Sequence, residues 1–168
     1  MRAKLLFLIL ILCFLKSPAS AQYIQEWGDV SPEQWEINSF ENDENAHSII
    51  LFDLGESYVD KNIEIIHKRH KRIKILNPDQ SDYTEIKISV YDDRSVQQLR
   101  NVSAQTINRG TDGETVKIEV EKDNIFTENS DNWETTSFTF PALEPGSIIE
   151  YEYEIIYSNP AALPGWTF

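Results

Sequence analysis

Three glutamates at alternate positions are the most regular set of side chains that could do chemistry. Glu150, Glu152 and Glu154 would lie about 7 Å apart on one face of a strand, a spacing that suits an inverting glycosidase. The other face of the strand is apolar and aromatic, with Ile149, Tyr151, Tyr153, Ile155 and Tyr157. This alternation predicts that the rings fill a core and the carboxylates face water. Because a general acid needs an apolar pocket that raises its pKa, we do not expect glycosidase activity.

A run of six basic or titratable residues, His67 to Arg72 (HKRHKR), is the second candidate. It could be a site for a polyanion or a carboxylate. We favour a solvated stretch of a long strand whose positive charges pair with Glu150, Glu152 and Glu154 across the sheet. The net charge of −13 opposes a polyanion. His67 and His70 would point to opposite faces of a strand, so we expect no shared metal site and no cofactor.

The first 21 residues predict a secretory signal peptide. A basic start precedes an apolar run from Leu5 to Leu15 and the small-residue site Ala19-Ser20-Ala21. We therefore expect export to the periplasm or cell surface, with no membrane association beyond this peptide; the alternative is an uncleaved anchor. Cleavage would also remove Cys13, the only cysteine, which excludes disulfides and thiolate chemistry from the mature chain. What remains is strongly acidic, which argues against nucleic acid as a partner.

The rest of the chain predicts an all-β fold, an antiparallel β-sandwich-like domain with a short N-terminal helix after the signal peptide. We divide it into an N-terminal region with the short helix (22–45), a β domain (46–158) and a proline-rich exit segment (159–168). The helix should start at Ser31-Pro32-Glu33-Gln34, which has the residues of a capping box. The exit segment ends on apolar residues, from which we expect the natural sequence to continue into a missing downstream domain.

Within the β domain, alternation and turn residues predict the strands. A first strand at Ser48–Asp53 should break at Leu54-Gly55-Glu56, and the next strand should begin at Ser57–Val59. A long strand is predicted over Lys61–Leu76, with Ile63 and Ile65 in phase with Ile73 and Ile75, and a half-buried strand over Thr84–Val90. A hairpin should turn at Asp112-Gly113, and Glu121–Thr136 should be a loop whose Ile125, Phe126 and Trp133 pack against the sheet. The last prediction is a pair of hairpin-like arms joined at a corner formed by Pro141, Pro145 and Gly146. Tyr151, Tyr153 and Ile155 should fill the core.

Several of these motifs occur together in an order that resembles a known family. They are Ile49-Ile50-Leu51-Phe52-Asp53 with Gly55, Arg69–Leu76 with Asp82-Tyr83, Ser103–Thr106 with Asp112-Gly113, Phe138–Pro141 with Pro145–Tyr151, and Trp166-Thr167-Phe168. This pattern resembles domain of unknown function 3857. The resemblance implies a β-sandwich-like domain of exported bacterial proteins, commonly from Bacteroidetes, placed directly before a transglutaminase-like core. The catalytic cysteine, histidine and aspartate would lie in that core, so no catalytic residue is assigned here.

The function expected first is therefore a noncatalytic module that packs on, or presents substrate to, a transglutaminase-like or protease-like domain. Trp166 and Phe168 are the candidate docking residues for that partner domain. The alternative is a free-standing module that binds glycan or peptide, with Trp27, Trp35 or Trp133 as a stacking surface. A hydrolase that uses one of the three glutamates is the least favoured hypothesis.

Overall fold

A computed structural model describes residues 25–41, 43–93 and 95–158. The one α-helix among these residues, α1, spans Pro32–Glu36, and its Ser31 N-cap forms the predicted capping box with Gln34. The strands are β1 (Ser48–Val59), β2 (Ile65–Ile75), β3 (Glu85–Tyr91), β4 (Gln97–Arg109), β5 (Thr115–Glu119), β6 (Ile125–Ser130), β7 (Trp133–Thr139) and β8 (Ile148–Tyr157). Short 3-10 helices lie at Pro78–Gln80 and Lys122–Asn124.

The strands form two antiparallel sheets, which confirms the all-β prediction. The large sheet has the strand order β1-β2-β8-β4-β5, and the small sheet has the order β3-β7-β6. β8 is the central strand of the large sheet, between β2 and β4. Each of its backbone groups therefore has a neighbouring strand on both sides, and its side chains point alternately to the two faces of the sheet.

The hydrophobic core lies between the two sheets. Tyr151 and Tyr153 of β8 stack at 6.4 Å between ring centroids, and Phe138 of β7 packs edge-on against Tyr151 at 6.2 Å. β3 contributes through strict alternation, since Ile86 and Ile88 are buried while their neighbours are exposed. We call the face of the large sheet that contacts this core its inner face, and the opposite one its outer face.

β1 runs without a break, so the predicted interruption at residues 54–56 is wrong. Gly55 pairs with Arg69 within a continuous ladder from Phe52 to Val59. The irregularity lies earlier, at a register shift between Ile50 and Phe52. A glycine lowers strand propensity, but pairing along the whole of β2 outweighs this local preference.

The predicted phase of Ile63 is also wrong. Ile63 is 69% exposed and has a φ of +66° in a turn after Asp60, so β2 begins only at Ile65. The Asp60 carboxylate accepts hydrogen bonds from the backbone N–H groups of Asn62 and Glu64, at 2.8 and 3.0 Å. This local side-chain bonding stabilises the turn against continuation of the strand.

The stretch predicted as a loop, Glu121–Thr136, contains β6 and most of β7 instead. These strands form a hairpin in which Thr127 pairs with Thr136 and Phe126 with Ser137. Ile125 is partly buried against the core, but Phe126 and Trp133 are exposed. Alternation misses these strands because a polar residue, Thr136, is buried whereas Phe126 and Trp133 are exposed, so the apolar alternation on which strand prediction depends is absent.

The corner before β8 joins the two sheets, so the expected hairpin of Phe138–Tyr157 is wrong. β7 pairs with β3 and β6, whereas β8 pairs with β2 and β4. Gly146 does set the corner, with a φ of +95° and an N–H that donates to the Ile75 carbonyl at 2.8 Å. The chain thus crosses from the small sheet to the centre of the large one. Among the described residues, no helix is long and apolar enough to cross a membrane.

Candidate functional site

The site with the densest chemistry is a buried ionic cluster on the outer face of the large sheet. Glu150 of β8 is 0% exposed, so the prediction that all three central glutamates face water is wrong for this residue. Residues 25–37, which we call the N-terminal segment, pass over the part of this face around Glu150 and exclude solvent from it. That part of the outer face is therefore a second buried surface.

Four donors surround the Glu150 carboxylate. Arg72 donates to Oε1 from Nη2 at 2.6 Å and from Nε at 3.2 Å, and His70 Nε2 lies 2.7 Å from the same oxygen. Oε2 accepts from Gln105 Nε2 at 2.8 Å and from the Gly28 backbone N–H at 2.7 Å. We call Glu150, Arg72, His70 and Gln105 the Glu150 cluster.

These contacts determine the charge state of Glu150. Burial alone would raise its pKa, but the hydrogen bond with His70 and the charge and hydrogen bonds of Arg72 outweigh burial, and the pKa lies below 4.5. The carboxylate is thus held ionised at neutral pH. A general acid needs the opposite shift, so the cluster lacks the property that a glycosidase acid requires.

Arg72 ties the N-terminal segment to the sheet. Besides its bonds to Glu150, it donates to the carbonyl oxygens of Asp29 at 2.5 Å and Glu26 at 2.9 Å, and to Oε1 of Gln34 at 2.9 Å. Arginine carries five N–H donors, and each of the three guanidinium nitrogens is engaged here. A buried charge with this many partners serves to fix the conformation of the chain around it.

Gly28 allows the segment to approach this closely. Its φ is +71°, and a Cβ built there would lie 2.7 Å from Lys117 Nζ and 3.0 Å from Gln105 Nε2. A side chain at this position is therefore opposed both by backbone conformation and by space.

Trp27 and Trp35 both pack at this interface. Trp27 lies against His70, with 5.7 Å between ring centroids. Lys74 Nζ lies 5.0 Å above the Trp35 ring and donates to the Trp35 carbonyl at 3.1 Å. Both rings are half-buried, and their positions fit the packing role expected for large aromatic side chains.

The other candidate aromatics are placed differently. Trp133, 51% exposed, lies edge-on to Tyr91 at 6.2 Å at the end of the small sheet, whereas the cluster lies on the large sheet. Trp166 and Phe168 lie outside the described residues. The structure thus brings Trp27 and Trp35 together on one surface and leaves Trp133 apart from them.

A second ionic group lies on the inner face. Asp53 of β1 accepts two hydrogen bonds from Arg69, from Nε at 2.8 Å and from Nη2 at 2.5 Å, and forms an ion pair with Lys71 at 3.1 Å. Lys71 Nζ also lies 5.1 Å from the centroid of the Tyr83 ring. Burial opposes ionisation of Asp53, but its two cationic partners lower its pKa below 3.8.

The basic run therefore pairs with acidic residues, but with Asp53 as well as with Glu150 and Glu152, and it is solvated only in part. Lys68 bridges to Glu152 at 3.1 Å, whereas Arg72 and Lys71 are buried. His67, three residues from His70, lies on the inner face, where its Nδ1 is 2.8 Å from Ser57 Oγ. Within residues 25–41, 43–93 and 95–158, no three His, Cys, Asp or Glu side chains form a group that could hold a metal ion.

The sequence did not predict the Glu150 cluster, because it did not predict that the N-terminal segment lies over Glu150 and buries it. Glu150 pairs with Arg72 in the β2–β8 ladder, as a cross-strand rule allows. Burial of that pair depends on the N-terminal segment, which lies 122 residues from Glu150. The available signal was Trp27-Gly28, an aromatic residue beside a flexible one, ahead of a capped helix.

Comparisons with known proteins agree with this fold. A crystal structure of a "putative protease" from Parabacteroides distasonis ATCC 8503 superposes with a TM-score of 0.54 at 15% sequence identity. The match covers 66% of this chain and 23% of that one, so the chain spans about a quarter of the protein that it resembles. No curated protein matches the chain. The sequence profile of a domain of unknown function with a solved structure, DUF3857, matches residues 64–168, and the chain belongs to that family.

Proposed function

We propose that this chain is a noncatalytic β module of an exported protein, and that it packs on, or presents substrate to, a transglutaminase-like or protease-like domain. The observation that carries the proposal is the pairing of the buried ionisable groups. Glu150 and Asp53, the carboxylates most enclosed by basic residues, each have a lowered pKa and at least two partners. Such groups stabilise layers and are poorly suited to transfer protons near neutral pH.

Two further observations support the proposal. The fold matches about a quarter of a larger protein whose name describes a protease. Residues 138–157 connect the small sheet to the centre of the large one, which gives a rigid base for a neighbouring domain. Export follows from the signal-peptide pattern of residues 1–21, and a mature N-terminus at Gln22 is part of the proposal.

The packing role is tested by thermal unfolding of the chain alone and of the chain joined to the sequence that follows Phe168 in its gene. If the partner domain packs on the module, the joined form unfolds at a higher temperature, because burial of interface area stabilises both parts. Trp166→Ala and Phe168→Ala should remove this increment in the joined form and leave the isolated chain unchanged.

Trp133→Ala is the matched control, since it removes an equally large exposed ring on the small sheet. It should leave the increment intact. Equal unfolding temperatures for the isolated and the joined chain would count against packing. Peptide or glycan turnover by the isolated chain would count against a noncatalytic role.

A further inference from the structure

The proposed packing on a partner domain does not involve the outer edge of β1, which is the side of the strand that does not pair with β2. β1 is the terminal strand of the large sheet and pairs with β2 on one side only. No strand in the described part of the chain pairs with its other side. An edge strand of this kind presents a row of N–H and C=O groups that can accept a further strand.

β1 has less protection than edge strands usually have. It is 12 residues long and contains neither lysine nor proline, and its inward-pointing Asp53 is neutralised by Arg69 and Lys71. Beyond the register shift, Phe52–Val59 pairs with β2 at every residue. The opposite edge of the large sheet, β5, has only five residues, with Lys117 and Glu119 among them. Natural proteins shorten or charge edge strands in that way to prevent pairing.

The side chains along the β1 edge define a pattern. Leu54, Glu56 and Tyr58 share one face by strand alternation, and Leu54 is 36% and Tyr58 44% exposed. Residues of an added strand would stand opposite these three side chains. Apolar side chains opposite Leu54 and Tyr58 would bury apolar surface on both strands.

Glu56 determines the charge of the occupant. No ion pair to Glu56 forms among the described residues, and its neighbour across the ladder, Lys68, is bonded to Glu152 at 3.1 Å. A basic side chain on the added strand would supply the opposite charge. A second copy of this chain would not do so, because β1 contains no basic residue and each copy carries a net charge of −13.

An apolar groove lies at the start of the same strand. It has a volume of about 280 Å³ and is lined by Phe40, Ser48, Ile49, Ile50 and Tyr83. Strand-addition sites obtain affinity from main-chain hydrogen bonds and specificity from such pockets for individual side chains. The groove would take an apolar side chain beyond the part of the occupant that pairs with Phe52–Val59.

We propose that the outer edge of β1 binds an extended polypeptide segment as an added strand, with the pattern apolar–any–basic–any–apolar opposite Leu54, Glu56 and Tyr58. This binding goes beyond the packing role and does not depend on it. A module that packs on its partner domain through other residues would still have this edge.

The probe is a fluorescein-labelled nine-residue peptide with the core Val-Thr-Lys-Thr-Val, titrated with the full chain and followed by fluorescence anisotropy. One matched peptide replaces the lysine by glutamate. A second is N-methylated at alternate backbone nitrogens, which keeps every side chain but removes main-chain donors. We expect saturable binding of the first peptide and affinities about tenfold lower for each of the others.

Protein variants locate the site. Leu54→Lys and, independently, Tyr58→Lys should weaken binding of the lysine peptide about tenfold through repulsion and lost apolar contact. Val116→Lys is the control, because Val116 is an exposed β-branched residue on the β5 edge. It should bind the peptide like the unchanged chain. Thermal unfolding first establishes that each variant has the same unfolding temperature as the unchanged chain, so that a loss of binding does not reflect a loss of folding.

Several results would overturn the proposal. If the N-methylated peptide binds as tightly as the unmethylated one, strand addition is ruled out. If Val116→Lys weakens binding as much as Leu54→Lys and Tyr58→Lys do, the effect comes from the added charge and not from the β1 edge. Absence of saturable binding would exclude the proposed peptide pattern. Sedimentation that shows a dimer which Leu54→Lys dissociates would identify the occupant as a second copy.

Discussion

At the scale of single residues, Glu150 shows that the environment of a carboxylate decides its role. It has the same side chain and the same strand face as Glu152, which bridges to Lys68 and is partly exposed. Coverage by the N-terminal segment makes Glu150 a buried anion with four donor groups. A buried pair of this kind is a strong determinant of geometry, and removal of one partner leaves the other uncompensated.

Glu150→Ala should therefore destabilise the chain by about 3–5 kcal/mol, because Arg72 would remain buried without its counter-charge. Glu154→Ala, in the same strand, should cost less than about 1 kcal/mol, since Glu154 is partly exposed and its bond to Asn101 lies at the surface. Urea unfolding followed by circular dichroism measures both. Equal losses would show that the cluster contributes no more than a surface contact.

The lowered pKa of Glu150 predicts the sign of a pH effect. In the unfolded chain this carboxyl has its ordinary pKa of 4.5, and in the folded chain the pKa is lower. The stabilisation is therefore complete above about pH 4.5 and is lost as the pH falls through the folded pKa. Urea unfolding of the unchanged chain and of Glu150→Gln at a series of acidic pH values should show a smaller decline for the variant. An equal decline in both would contradict the assignment.

Gly28 gives a test of close approach. Gly28→Ala should destabilise the chain by more than Gly113→Ala, which is expected to cost about 1–2 kcal/mol for positive φ alone. Both glycines have positive φ, but only the Cβ at residue 28 would meet atoms within 4 Å, those of Lys117 and Gln105. Chemical denaturation of both variants measures the difference. An equal decrease in the free energy of unfolding for both variants would mean that the N-terminal segment accommodates the added Cβ without an energetic cost.

At the scale of elements, the alternation of apolar and polar residues predicted the strands that bury one apolar face. It failed for strands in which a buried position is polar or an exposed position is apolar. β3 was predicted because Ile86, Ile88 and Val90 repeat at every second position and are buried. The β6–β7 hairpin was missed because its strands carry mainly polar side chains, among them the buried Thr136, so that apolar residues do not alternate. Thr135 and Thr136 are β-branched and favour strands, but propensity without alternation does not mark a strand, and pairing with β3 places them in the sheet.

The start of β2 shows a local conflict that a substitution can relieve. Ile63 is a β-branched residue with a φ of +66° and has an exposed side chain. Ile63→Gly should stabilise the chain by about 1 kcal/mol, since glycine adopts this conformation without steric cost. Asp131→Gly is the control, because aspartate in the exposed turn between β6 and β7 also has a positive φ but tolerates the left-handed region better than isoleucine, and the substitution should gain less. Thermal unfolding measures the change in stability for both variants. Destabilisation by Ile63→Gly would contradict the claim that the positive φ at Ile63 is strained.

The candidate site could be predicted in its parts but not in its assembly. The basic run, the glutamates and the tryptophans were each identified as candidates from residue type and spacing. Antiparallel pairing of β2 with β8 was enough to place Arg72 opposite Glu150. The burial that gives the pair its properties comes from a contact of long sequence separation, which no local pattern encodes.

At the scale of the whole molecule, the chain is organised in three layers. The small sheet covers the inner face of the large sheet with apolar side chains, and the N-terminal segment covers the outer face mainly through polar contacts. The two ionic groups, at Glu150 and at Asp53, lie on opposite faces of the large sheet. Each connects strands to one another, and the Glu150 cluster also connects a layer to the sheet.

This arrangement supports the noncatalytic role that we propose. Glu150 and Arg72 join the N-terminal segment to the large sheet, and Arg69 and Lys71 join β2 to β1 through Asp53. The β1 edge remains available to a partner without disturbance of either ionic group. Stability and partner binding would then depend on different residues of the same strand pair.

The central claim, that the Glu150 cluster fastens the N-terminal segment to the sheet as a structural layer, is tested most directly by native-state hydrogen exchange at Gly28. Its backbone N–H donates to Glu150 Oε2 at 2.7 Å. We predict that the Gly28 amide exchanges as slowly as the amides of the central strand β8, because it is released only when the segment detaches from the sheet. Exchange as fast as that of Asp112, in the exposed hairpin turn, would contradict the claim.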